Sequence, residues 1–90
     1  METRVAVISI IVNEGAYTEE LNSLLSNASG YIIGRMGIPY KCKGINIISI
    51  AIDAPQDVIS ALSGKIGRLK GVTAKTAYSN VITKIDGTAV

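Results

Sequence analysis

A chain of 90 residues with 48% hydrophobic and only 18% charged residues carries more apolar surface than one small domain readily buries. It has no histidine and a single cysteine, Cys42, which excludes a disulfide framework within the chain and removes the commonest general base and transition-metal ligand. A net charge of +2 is too weak to mark a nucleic-acid-binding protein.

No run of about 18 apolar residues occurs, so no membrane span is expected. Met1-Glu2-Thr3-Arg4 leads directly into a strand pattern without the apolar middle of a signal peptide. A cytoplasmic protein is the expectation.

Arg4 to Val12 (RVAVISIIV) is rich in β-branched residues and too short for a typical helix, which predicts a strand. Asn13-Glu14-Gly15 is a turn cluster. Apolar residues then recur at Tyr17, Leu21, Leu24, Leu25 and Ala28, the spacing of an amphipathic helix. Glu19 and Glu20 fall in its first turn, where the helix dipole favours negative charge, and Gly30 is a natural stop.

Tyr31 to Cys42 (YIIGRMGIPYKC) predicts a second strand, interrupted by Gly34 and Gly37. Pro39 cannot donate to a ladder and places that strand at an edge or beside a bulge. Lys43-Gly44 turns the chain into a third strand, Ile45 to Ala54. Pro55 suits a helix's first position, with Asp53 or Ala54 as cap. Val58, Ile59, Leu62 and Ile66 mark the buried face of this second helix, and Gly71 separates it from a fourth strand over 72–78. The core is expected over residues 4–79. The tail, 80–90, either adds a short strand around Val81 to Ile85 or frays.

An internal repeat supports this order. Val5 to Val12 aligns with Ile45 to Ile52, with Ile8/Ile48, Ser9/Ser49 and Ile10/Ile50 identical. Two βαβ halves, each with a right-handed crossover, predict an α+β ferredoxin-like βαββαβ domain: one antiparallel sheet of order 4-1-3-2 with both helices on one face. The two repeated strands are expected at its centre, parallel to one another.

These central strands are apolar at both parities, whereas a sheet with one wet face should alternate. Val5, Val7 and Ile11 oppose Ala6, Ile8, Ile10 and Val12; in the third strand Ile45 and Ile47 oppose Ile48, Ile50 and Ile52. The face without helices would expose several aliphatics, each worth roughly 1.5–3 kcal/mol on full burial. Self-association into a homo-oligomer, dimer or tetramer, is the simplest cover. Its candidate interface residues are Val5, Val7, Ile11, Ile45, Ile47, Ile48 and Ile50, drawn from both parities because sequence does not say which one meets the helices.

Gly34-Arg35-Met36-Gly37 and Gly64-Lys65-Ile66-Gly67 match no phosphate-binding fingerprint. They read as structural glycines, or as backbone that a ligand approaches at Gly34 or Gly37. The loop Asn13-Glu14-Gly15-Ala16 precedes a helix, where backbone amides can receive an anion; the bland reading is a plain connection. Arg35, in a largely apolar strand, is either an edge-strand charge or the partner of an acid or anionic ligand. Asn13, Glu14, Gly15, Ala16 and Arg35 are therefore the candidate ligand-binding residues. Cys42 lacks a second cysteine or a histidine and reads as an incidental thiol. No catalytic constellation and no metal or cofactor site is expected. The strands carry no aromatic platform for RNA.

The phrases GRMGIPY, DAPQDVISALSGKIGRL and GVTAKTAYS, within residues 4–79, resemble the family of iron-only hydrogenase system regulators. That family is similar to ACT domains and to the C-terminal domain of the nickel-responsive regulator. The resemblance implies a non-enzymatic, oligomeric regulatory module with a small-molecule effector, or a module that binds a hydrogenase-maturation or regulatory partner without a metabolite. It also shows departures. Without histidines the nickel site is not expected, the Pro-Gly of ACT loops is missing after the first strand, and no helix-turn-helix segment is present, so direct DNA binding is not expected.

Overall fold

The computed structural model describes residues 2–13, 15–16 and 18–84, with the main chain only for 81–84. Glu14 of the candidate loop, Tyr17 of the first helix and Ile85 of the tail lie outside the described residues. The elements are β1 (Glu2–Asn13), α1 (Thr18–Asn27), β2 (Ile32–Tyr40), β3 (Ile45–Ala54), α2 (Gln56–Gly67) and β4 (Val72–Lys84). They form a four-stranded sheet of order β2-β3-β1-β4, the expected order read from its other edge.

The central pair corrects one expectation: β1 and β3 run antiparallel, not parallel. The crossover through α1 makes β2 parallel to β1, and the tight turn between β2 and β3 then reverses β3. The repeated segments therefore meet head to tail, with Ile8 opposite Ile50, Ser9 opposite Ser49 and Ile10 opposite Ile48. A local two-fold axis passes through the Ser9/Ser49 pair and relates the two halves.

Strand alternation decides which parity is core. Ala6, Ile8, Ile10 and Val12 of β1 and Ile50, Ile52 and Ala54 of β3 are buried beneath the helices. From α1 they receive Leu21 and Leu25, with Ala28 just beyond its end; from α2 they receive Ile59, Leu62 and Ile66. Two further contacts tie β4 to α2: the Thr76 hydroxyl donates to Ser63 Oγ at 2.8 Å, and Ser60 Oγ lies 3.3 Å from the Tyr78 hydroxyl. At the far end of β1 the Arg4 guanidinium donates to Gln56 Oε1 at 3.1 Å. It also stands 5.6 Å from the centroid of the Tyr78 ring, within cation–π range.

Several boundaries shift for local reasons. The first helix ends at Asn27, and Gly30 lies in a following 3₁₀ turn, Ser29–Tyr31. Pro55 is itself the cap of α2 rather than its first helical residue: its ψ of 144° is extended, and its carbonyl accepts from the amides of Val58 and Ile59. The fourth strand runs past Tyr78 to Lys84: a register irregularity between Arg4 and Ala6 takes up residues 79–81, after which pairing resumes at Ile82. As Pro39 implied, β2 is an edge strand; its irregularity falls between Ile32 and Gly34, away from Pro39, which pairs in register with Asn46.

Gly71 is a glycine the fold requires. Its φ is +79°, and a Cβ there would stand 3.1 Å from Ala16 Cβ. Gly71→Ala is expected to lose about 1–2 kcal/mol through left-handed backbone strain, read as a lower urea midpoint with an unchanged slope.

Candidate functional site

The sheet face opposite the helices is covered by no other element among the described residues. Its rows follow from the register. Thr73, Ile11, Ile47 and Ile38 form one row across β4, β1, β3 and β2; Lys75, Ser9, Ser49 and Met36 form the next; Ala77, Val7, Ala51 and Gly34 form the third. Val5 lies beside Asp53 at one end, and Ile45 beside Tyr40 at the other. Val7, Ile11, Ile38, Tyr40 and Ile47 are all more than a third exposed, and Met36 reaches 58%. Among the described side chains on these rows only Lys75 and Asp53 carry charge, and their signs are opposite.

This arrangement sorts the candidate interface residues. Val5, Val7, Ile11, Ile45 and Ile47 lie on the open face. Ile48 and Ile50 do not: Ile50 is fully buried and Ile48 packs against the same core. Their partners Ile10 and Ile8 share the helix-facing parity, so neither isoleucine can meet a second molecule through the open face. The sequence reading missed Met36, Ile38 and Tyr40, although their alternation along GRMGIPY carried the signal.

The candidate ligand residues are only partly brought together. In the loop after β1, the Asn13 amide donates to the Gly71 carbonyl at 2.8 Å. The Ala16 amide donates to the Asn13 carbonyl at 3.1 Å, and the Thr18 amide to the Ala16 carbonyl at 2.9 Å. Gly15 takes a φ of +85° to make this turn. The Asn13, Ala16 and Thr18 amides are thus engaged within the fold, and the loop leans on Gly71.

Arg35 instead faces α1, where its guanidinium donates to Asn22 Oδ1 at 3.4 Å. Beside it a depression of about 330 Å³ opens between α1 and the edge of the sheet, flanked by Thr18, Asn22, Gly37 and Asn46. The loop residues Asn13, Gly15 and Ala16 do not line it. Cys42 is exposed in the turn Lys41–Lys43. Among the described residues no group of three or more His, Cys, Asp or Glu side chains is placed to hold a metal ion. Likewise no helix among them is long and apolar enough to cross a membrane.

The fold and its open face define a ferredoxin-like α+β domain with helices on one side and an uncovered apolar sheet on the other. The chain belongs to the TM1266-like family, described as "Iron-only hydrogenase system regulator, putative", whose model matches residues 4–76. It is similar in structure to the uncharacterized protein TM1266 from Thermotoga maritima, at 34% identity and a TM-score of 0.81, over 84% of this chain and 96% of that one. No curated protein matches the chain.

Proposed function

We propose that the protein is a non-enzymatic regulatory module of the iron-only hydrogenase system that works as a homo-oligomer, two copies closing their open sheet faces on one another. Family membership supports the regulatory role, and the open face is the observation that carries the mode of action. Four strands about 4.8 Å apart and roughly nine residues long present on the order of 600 Å² per copy. Two copies together reach about 1,200 Å², the lower bound of a specific, stable interface. The described side chains of the face carry one charge of each sign, Lys75 and Asp53, and so present no single-sign field that would repel a second copy. Regulation is then exerted through protein contacts, and an effector acts by shifting the population of assembled states.

The test is made in cells that carry an iron-only hydrogenase. A chromosomal Ile47→Lys variant is expected to alter hydrogenase level or activity to the same extent as deletion of the gene. Hydrogenase output indistinguishable from wild type, with the variant protein present at normal abundance, would overturn the reading. Copurification of a hydrogenase-maturation protein on the open face of a monomer would replace the second copy with that partner.

A further inference from the structure

Gly37 is a glycine that the fold itself does not explain. Its φ is not positive, unlike those of Gly15, Gly44 and Gly71. The irregularity in β2 falls between Ile32 and Gly34, and Gly37 pairs in regular register opposite Ile48. A Cβ built on it would meet nothing within 4 Å. Glycine inside a strand weakens it and often marks a place where a ligand or another backbone approaches. Ile48 lies on the helix-facing side, so the missing Gly37 side chain leaves the gap that forms the depression beside α1.

The polar groups around that gap converge on one chemistry. Arg35 supplies a forked cation, Asn22 and Asn46 supply amides, and Thr18 supplies a hydroxyl. The described residues place no carboxylate against Arg35; its hydrogen bond to Asn22 is long, at 3.4 Å. Glu19 and Glu20 instead line a separate groove with Lys65 and Arg68. The base of the depression is apolar, from Leu21 and Ile48.

We propose that this depression binds a small carboxylate carrying an aliphatic tail. Arg35 takes the carboxylate through its fork, the geometry in which guanidinium is strongest. The asparagine amides and Thr18 complete its hydrogen bonds, and the tail enters the space above Gly37. A volume of about 330 Å³ lies at the lower end of ligand pockets, which suits a molecule of this size. All these residues belong to one copy, so the site is complete with or without self-association.

The experiment is an amide-detected NMR titration of the whole chain with 3-methylbutanoate, with inorganic phosphate and 3-methylbutylammonium run in parallel. Saturable shifts are expected at Asn22, Arg35, Gly37 and Asn46, with a dissociation constant of roughly 1 mM or tighter for the carboxylate. Phosphate should bind at least tenfold more weakly and the amine not at all. A Cβ at Gly37 is unobstructed and valine is favoured in strands, so Gly37→Val should melt no lower than the wild type, yet lose carboxylate binding at least tenfold. Arg35→Gln should also melt normally and lose the same affinity. The proposal is overturned if no saturable shift occurs, if phosphate binds as well as the carboxylate, or if Gly37→Val binds like the wild type. It is equally overturned if Gly37→Val changes the sedimentation rather than the binding, since a partner's side chain would then occupy the gap.

Discussion

Ile50→Ala is expected to cost about 2–5 kcal/mol of folding stability. Ile50 has no exposed surface and sits in the sheet beneath the helices, beside Ile8 across the central pair. Close packing leaves the surrounding residues little room to relax into the space of the lost methyl groups. A domain of this length has on the order of 5–13 kcal/mol in total, so the loss is a large fraction of what holds it folded. Urea unfolding followed by circular dichroism measures it. A loss below about 1 kcal/mol would contradict the assignment of this parity to the core.

Ile47, of the opposite parity, lies three residues before Ile50 on the same strand. Ile47 retains 39% exposure, so Ile47→Lys should leave the folded monomer largely intact, because the lysine stem can lie along the sheet with its ammonium in water. Association should suffer far more. Each copy forfeits about 1 kcal/mol of apolar burial, and an isologous contact changes both copies at once. Two ammonium groups are then taken out of water without counter-charges, a cost of several kcal/mol each. These terms sum to more than about 4 kcal/mol, so the dimer is expected to weaken by at least about 1,000-fold. The two substitutions thus separate folding from assembly: one acts on the melting transition, the other on the mass in solution.

Much of the fold was legible in the sequence because its determinants are local and repeated. The Ile-Ser-Ile repeat marked the two central strands, and Pro39 marked β2 as an edge. The relative direction of the central strands was inferred wrongly, since it depends on how the crossover and the hairpin combine and not on either strand alone. The helix-facing parity was illegible for a simple reason: both parities are isoleucine and valine, and only docking of α1 and α2 breaks the tie. That is why Ile48 and Ile50 stood among the interface candidates beside Ile47.

The candidate site was less legible still. The loop 13–16 had the composition of an anion-binding turn, but whether its amides are free depends on the turn they make and on contact with Gly71, which is distant in sequence. Arg35 stood out as a charge in an apolar strand. Its neighbours Thr18 and Asn22 lie one turn apart on α1 and Asn46 lies on β3, and no pattern in the sequence joins these to Arg35. Gly37 becomes informative only when the register places it opposite Ile48 and shows the space above it empty.

The central claim is that the open sheet face is an interface between copies of this chain. Sedimentation equilibrium at micromolar concentration, with wild type and Ile47→Lys compared in the same buffer, tests it most directly. The account predicts a wild-type mass of at least twice that of one chain and a folded monomer for the variant. A wild-type protein that sediments as a stable monomer, or a variant that assembles as tightly as the wild type, would contradict it.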